Sequence, residues 1–412
     1  MENYLDALLS GPIPRELSFT SDEYAARLTQ VREQMTASEI DVLLVHSAVD
    51  LCYLTGYQTL WPDAYACLVL PLSNQPFMQV GEIEASCAVL HGEIEDFELF
   101  DWVGADAVPT QLAKILADRG YEKSRIGVQT GRIEMGNRGP VDARLLDTLR
   151  AALSDARFVD ATLLMFDVRV TKSPAELAYM RSAGEMTRTG MDAAVNAIKP
   201  GRTENDIAAI AANIMIEQGS EFFSIDPIVN AGHRTGYFHT TFKRHPISAG
   251  DPVQLEFGAC YHRYTSPMMR TVLTAKPTDL QQRMIDTQLA TLETLYGAVR
   301  AGRSTRDVTN EVMAVVGSLE GEIFRSGHFG YSIGLGFPPT WTDGPAYLSA
   351  ARDIELLEGM TFHTPVSWRV PKVFVIGTSE SITVTKTGCE ILTSKERDVR
   401  VTGSKGSLKA LN

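Results

Sequence analysis

The sequence predicts two domains, an α/β domain over residues 1–170 and an α+β domain over 171–412 built around a duplicated helix–strand unit. Three observations carry that expectation. Roughly the first 165 residues alternate amphipathic stretches with short branched apolar runs, a strong helix start stands at Ser173, and a turn-plus-helix pattern recurs 101 residues apart in the second half. At 412 residues the chain is long enough for two or three domains, and its 44% hydrophobic content lies near the globular range.

In chain order, Thr20-Ser21-Asp22-Glu23 reads as a capping box that opens a helix running towards Ser38. Asp41–Val45 and Cys67–Leu70 are short branched runs of buried-strand type, and Arg125–Val128 follows an amphipathic stretch from Pro109 to Asp118. Ser173-Pro174-Ala175-Glu176 combines an N-cap serine, a proline at the first helical position and a glutamate at the third, so a long helix begins there and the domain boundary falls near Val170. The segment Ile198–Ile207 is echoed by Val299–Val308. Each copy has a glycine turn, a hydroxyl cap, an acid three residues on and a helix with apolar residues at helical spacing: Ile207, Ile210 and Ile214 in one, Val308, Val312 and Val315 in the other. Strand-like segments follow each helix. Asp251–Thr274 reads as a hairpin, and Gly359–Thr364 with Ser379–Thr385 as a second pair, so two helix pairs should back an antiparallel sheet whose concave face holds the site.

Composition removes several functions. With 38 Lys+Arg against 51 Asp+Glu the net charge is −13, and without a basic cluster a nucleic acid would find no phosphate-binding footprint. An acidic surface repels anionic membranes, and no apolar run reaches the 18 or more residues of a spanning helix. The start Met1-Glu2-Asn3-Tyr4-Leu5-Asp6 lacks the positive charge of a signal peptide, so a cytoplasmic location is expected. Cys52, Cys67, Cys87, Cys260 and Cys389 are scattered and free of CxxC, which indicates neither a disulfide framework nor a thiolate zinc site.

Six of the eight histidines fall in the second domain: His233, His239, His245, His262, His328 and His363. A divalent ion needs several converging carboxylates or imidazoles, yet the Asp251–Thr274 hairpin offers only Asp251 and Glu256, and neither HxH nor HExxH occurs. No metal and no cofactor are expected. Glu256 stands mid-strand between Leu255 and Phe257, where a carboxylate is costly to bury unless it is paired or kept for chemistry. A salt bridge to Arg270 across the hairpin is the structural alternative.

Several segments together carry a family resemblance: the duplicated helix unit, His239–Gly258, Arg263–Val272, Phe329–Leu335, Glu358–Phe362 and, in the first domain, Tyr53-Leu54-Thr55-Gly56-Tyr57. They resemble the pita-bread superfamily of methionine aminopeptidases, Xaa-Pro peptidases and creatinase, the first domain being creatinase-like. The resemblance implies a homodimer in which the N-terminal domain of one chain covers the site of the other. It also places Glu256, Pro267, Tyr331, Pro365 and Ser379 where the peptidases hold two metal ions, so only one potential ligand of five is kept and a metal-free branch is implied. His239, eleven residues before Gly250, has the spacing of creatinase's proton-shuttling histidine.

Within that branch the chain is most similar to ectoine hydrolases. It shares Glu256, the Arg-Tyr-x-x-Pro run at Arg263–Pro267, the Gly-Tyr-x-Ile-Gly-Leu-x-x-Pro-Pro-x-Trp run at Gly330–Trp341, Gly-Met-Thr-Phe-His at Gly359–His363 and Glu-Ser-Ile at Glu380–Ile382. The resemblance implies hydrolysis of a cyclic amidine in a small zwitterionic molecule. Glu256 would attack the amidinium carbon or orient water, and His239 would take and return protons. Tyr264, Tyr331, Trp341 and His363 would wall the cation, or serve only as core. Arg270 would hold a substrate carboxylate or else pair with Glu256, and Glu380 and Trp61 complete the substrate-binding set. In the loop Gln58–Tyr65, Asp63 stands where creatinase has an arginine. Other readings stay open: a creatine-type amidinohydrolase acting on another guanidine, a metal-dependent Xaa-Pro peptidase or lyase, and a non-catalytic binding member.

Overall fold

The structure, a computed structural model, describes residues 2–131, 141–402 and 407–408. It divides into two compact units, Met1–Arg169 and Val170–Asn412.

The first unit runs α1 (Glu2–Leu9), α2 (Ser21–Ala37), β1 (Val42–Val45), α3 (Ala48–Thr55), β2 (Ala66–Pro71), β3 (Phe77–Gly81), α4 (Ala85–His91) and β4 (Phe97–Phe100). It continues with α5 (Val108–Asp118), β5 (Arg125–Val128), α6 (Ala143–Ala152), β6 (Arg157–Asp160) and α7 (Leu164–Arg169). The hydroxyl of Thr20 accepts from the backbone N–H of Glu23 and starts α2 as expected. The strands form one mixed sheet in the order β4-β3-β2-β1-β5-β6. Leu43 and Val45 pack into one apolar cluster with Val31 and Leu51, while Val42 and Leu44 pack into another with Leu112 and Leu149. Helices cover both faces, which is why the β1 run is apolar at every position.

The second unit opens with α8 (Pro174–Ala197), whose N-terminus carries the full Ser173–Glu176 capping box. Then come α9 (Glu204–Glu217), β7 (Ile228–Ala231), β8 (Pro252–Phe257), the short β9 (Cys260–Tyr261) and β10 (Tyr264–Thr265), and β11 (Met268–Leu273). The second copy supplies α10 (Asp279–Ala298), α11 (Thr305–Val316), β12 (Tyr331–Ile333), β13 (Thr342–Tyr347), β14 (Thr361–His363), β15 (Val366–Val370), β16 (Phe374–Thr378), β17 (Ser381–Val384) and β18 (Cys389–Ile391). The chain ends with β19 (Val399–Val401) and β20 (Ser407–Leu408).

The duplication is visible in the backbone. Gly201 and Gly302 both take left-handed φ, +89° and +81°, and Thr203 and Ser304 then cap α9 and α11 through the N–H of Asp206 and Asp307. The expected single antiparallel sheet is two five-stranded sheets, β20-β19-β11-β8-β7 and β13-β12-β14-β17-β18. An isolated bridge between Met269 and Ser379 links them, and β19 joins β11 in parallel. The cause is that each helix pair collects its own core: α8 and α9 pack on Val253, Leu255 and Phe257, whereas α10 and α11 pack on Phe362 and Ile382.

Candidate active site

Strand alternation decides which side chains can meet. On β8, Val253, Leu255 and Phe257 enter the core beneath α8 and α9, so Gln254 and Glu256 project from the opposite, inner face. Directly paired residues of an antiparallel ladder share a face. Glu256 pairs with Met269, whereas Arg270 pairs with Leu255. Arg270 therefore lies on the helix side, and neither expected role for it holds. Its guanidinium bonds Glu380 Oε1 at 2.5 Å and the carbonyls of Met269, Ser379 and Glu396. Glu380 is fully buried with it and also accepts from the Thr393 hydroxyl and the Ser394 N–H. Both residues are spent on each other, so both leave the substrate-binding set.

In the second sheet Phe362 enters the core beneath α10 and α11, which turns His363 inward, and the register sets Tyr331 directly opposite it. Trp341 Nε1 donates to the Tyr331 hydroxyl oxygen at 2.7 Å, the hydroxyl lies 2.8 Å from His363 Nδ1, and His363 Nε2 lies 2.5 Å from Ser379 Oγ. Since the Tyr331 oxygen accepts from Trp341, its proton is directed to Nδ1. That assigns the imidazole proton to Nε2, donating to Ser379. Burial pushes His363 down to about 3, with His328 adding to the effect, so the ring is neutral at physiological pH. Burial holds the Tyr331 phenol well above its ordinary value, and the nearby charge of Glu256 acts in the same direction.

Glu256 itself is half-buried, and among the described residues its carboxylate has neither a hydrogen bond nor an ion pair. Burial raises it to about 7, against the opposing pull of Arg369. An acid poised there suits proton transfer or nucleophilic attack at neutral pH.

The remaining expected residues fall into two groups. His239 is exposed, with φ +51°, a left-handed conformation uncommon outside glycine. Asn230 Nδ2 pins the chain just after it by donating to Thr240 O at 2.8 Å, and Asn230 pairs with Gln254 of β8, so His239 sits at the rim of the inner face. No hydrogen bond joins it to Glu256 among the described residues. Tyr264 is fully buried and donates to Glu176 Oε1 of the α8 cap at 2.9 Å, so it anchors a helix start. Trp61 belongs to the first unit, where it is 57% exposed and lies against Trp102 with ring centroids 5.4 Å apart.

Two neighbours of the site escaped the sequence reading, Phe238 and Arg369, and Ser379 entered it only as a lost metal position, not as the partner of His363. Arg369 carried a signal, since a cation mid-strand in Ser367-Trp368-Arg369-Val370 raises the same question of burial as Glu256. It is held where the β15–β16 hairpin meets the Gly232–Gly236 turn. Gly236 is required there, because an added Cβ would lie 2.5 Å from the Val373 nitrogen.

A model of metallopeptidase family M24 matches residues 178–386, and the creatinase/prolidase N-terminal domain matches 27–171. The chain belongs to metallopeptidase family M24. It is 29% identical over 404 residues to an ectoine hydrolase of Halomonas elongata, covering 93% of this chain and 98% of that one. To a Xaa-Pro dipeptidase of Pyrococcus horikoshii it is 22% identical, covering 90% and 98%. The crystal structure of the prolidase from Pyrococcus horikoshii OT3 shares the fold, with a TM-score of 0.78 at 21% identity, over 91% of this chain and 99% of that one.

The M24 name implies metal ions, but the donors present do not fit a metal pair. At the five positions that the resemblance assigns to the peptidases' ligands only Glu256 is a carboxylate, while the Tyr331 hydroxyl and Ser379 Oγ are engaged by His363. Among the described residues, no group of three or more His, Cys, Asp or Glu could hold a metal ion.

Proposed function

We propose that this M24 chain is a metal-independent hydrolase that opens a non-peptide C–N bond, a cyclic amidine in a small zwitterionic molecule such as ectoine, using Glu256 and His239. The observation that carries the reading is the Glu256 carboxylate, which has no partner among the described residues and is raised to about 7 by burial on the inner face of the sheet. The likeness to an ectoine hydrolase supports the substrate class.

The amidinium would lie against Glu256, with Tyr331, Trp341 and His363 as its aromatic wall. Glu256 either directs a water molecule to the central carbon or attacks it itself, and the tetrahedral intermediate then expels one ring nitrogen; on the second route a water molecule must afterwards cleave the Glu256–carbon bond to free the amide and the carboxylate. His239 takes a proton from the attacking water and returns it to that nitrogen, so the net change is addition of one water to give an amide and an amine. His363 does not compete for the proton, being held neutral with both ring nitrogens engaged. The reading includes a cytoplasmic homodimer with the N-terminal domain of each chain over the partner's site.

Turnover of ectoine and a panel of related cyclic amidines, assayed with a chelator present, tests the reading. Activity should persist, and His239→Ala should lower it about 10²-fold or more. Loss of activity on chelation, with cleavage of Xaa-Pro dipeptides when metal is added, would favour the peptidase reading instead. Thermal stabilisation by an amidine without product would favour a non-catalytic binding member.

A further inference from the structure

Among the described residues, the buried arginines and lysines follow a rule with one exception. Arg27 lies 3.2 Å from Glu23, Arg169 3.0 Å from Asp50, Lys172 3.0 Å from Asp343, Arg263 3.9 Å from Glu221 and Arg270 2.5 Å from Glu380. Arg369, at 3% exposure, is as buried as Arg169 and more so than Arg270, and among the described residues no carboxylate comes within 4 Å of it. Its hydrogen bonds go to neutral acceptors: Nε to the Thr235 carbonyl at 3.1 Å, one terminal nitrogen to Ser367 Oγ at 3.2 Å and the other to Gln254 Oε1 at 3.1 Å. The Phe238 ring lies on its flat face, 3.6 Å from the guanidinium carbon to the ring centroid.

A buried charge is costly unless an opposite charge offsets it, and neutral acceptors do not supply that charge. A guanidinium carries five N–H donors, and three bonds leave two of them unspoken for. The opposite charge whose field reaches it is Glu256, which faces the same side of β8 as Gln254 and senses Arg369 without touching it. Burial moves the two towards neutrality from opposite ends, Arg369 down to about 10 and Glu256 up to about 7. Two opposite charges stand on one inner face, close enough to feel each other and too far apart to pair. That is the charge pattern complementary to a dipolar ion.

We infer that Arg369 is the anchor for the carboxylate of a zwitterionic substrate, whose cationic C–N centre lies on Glu256, so that the substrate completes an ion pair the protein leaves open. The inference rests on the proposed function for the identity of the cation and replaces Arg270 in the role of carboxylate holder. Three fixed hydrogen bonds and the stacked Phe238 ring orient the guanidinium, so little ordering is left to occur on binding.

The test compares two probes on the wild-type chain and on Arg369→Gln and Arg369→Lys: ectoine, a cyclic amidine that bears a carboxylate, and the methyl-tetrahydropyrimidine ring that lacks it. Turnover and ligand-induced thermal shift are both read, and circular dichroism confirms that each variant folds. The expected result is that the wild type prefers ectoine about ten- to a hundred-fold in kcat/KM, the scale of a charge-assisted hydrogen bond. Arg369→Gln should abolish that preference, read as the ratio of kcat/KM for the two probes, because losing the cation alters Glu256 equally for both and cancels in the ratio; Arg369→Lys should fall in between. A preference for ectoine that survives unchanged in Arg369→Gln, whether both probes lose turnover or neither does, overturns the anchor. If Arg369→Gln does not fold, the wild type's own preference decides: no preference for the carboxylate-bearing probe overturns the inference. Turnover without such a preference sinks the anchor and keeps the amidine hydrolase. Carboxylate-dependent binding without turnover does the reverse, and neither signal sinks both.

Discussion

Two carboxylates of the second unit, Glu256 on the inner face of β8 and Glu380 just before β17 on the helix side, meet opposite fates. Glu380 is sealed on the helix side with Arg270, two further side-chain and backbone donors, and no remaining call on a ligand. Glu256 is only half-buried on the inner face, near a cation it does not reach. The difference teaches that a buried ion pair and an unpaired acid on opposite faces of the β8–β11 ladder serve different ends. The first holds the two sheets together, since Arg270 also bonds the Ser379 carbonyl at their single bridge. The second is left with unused chemistry.

The sharpest way to break the comparison is to exchange the consequences. Arg270→Met strands Glu380 without its cation and should cost about 3–5 kcal/mol of stability, read by chemical denaturation, while the kcat of whatever protein stays folded is largely kept. Glu256→Gln should do the opposite, lowering kcat/KM about 10³-fold with the fold intact, on the scale of lost nucleophilic or acid–base catalysis. If Arg270→Met abolished turnover in well-folded protein, or Glu256→Gln unfolded the chain, the two faces would not be divided as described.

A pH series sharpens the same contrast. Glu256 has an ordinary value of 4.5 and is raised to about 7 in the fold, so between those values the folded state holds a proton that the unfolded state has released. Stability therefore falls as pH rises through this window, relative to Glu256→Gln, and the gap levels off above about pH 7 at about 3 kcal/mol. Melting both proteins from pH 4 to 8 checks it. A gap independent of pH would mean that the acid is not poised as the structure indicates. In the wild type kcat/KM should rise with an apparent pKa near 7 as Glu256 ionises.

The smallest expected effect lies in the aromatic wall. Tyr331→Phe removes the hydroxyl between Trp341 and His363, leaving two buried groups without a partner, at about 1–3 kcal/mol of stability. Burial and Arg369, not this hydroxyl, set the Glu256 value, so the pH limb of kcat/KM should stay in place while stability falls.

Much of this was legible in the chain before any tertiary contact was considered. Caps are local, so Thr20, Ser173, Thr203 and Ser304 announced their helices within four residues, and the recurrence from Ile198 to Val299 exposed the duplication. Alternation along β8 marked Glu256 as the acid out of place in a strand, and the residues at Tyr331 and His363 lay in the runs shared with relatives. Partner choice was not legible in this way. Arg270 and Arg369 are both mid-strand cations, and the chain suggested only Arg270 as a partner for Glu256, while nothing local to either says which face it takes. What separated them is register: one position along β11 put Arg270 opposite Leu255 and so on the far face, 110 residues in sequence from the Glu380 that neutralises it. The sequence by itself determined the helix starts, the two domains and the unusual acid, because these depend on neighbours a few residues away. Which cation is spent, which is left open and which tyrosine is a strut at Glu176 were decided only when distant strands docked, since a one-residue shift in pairing exchanges every side chain between the core and the site.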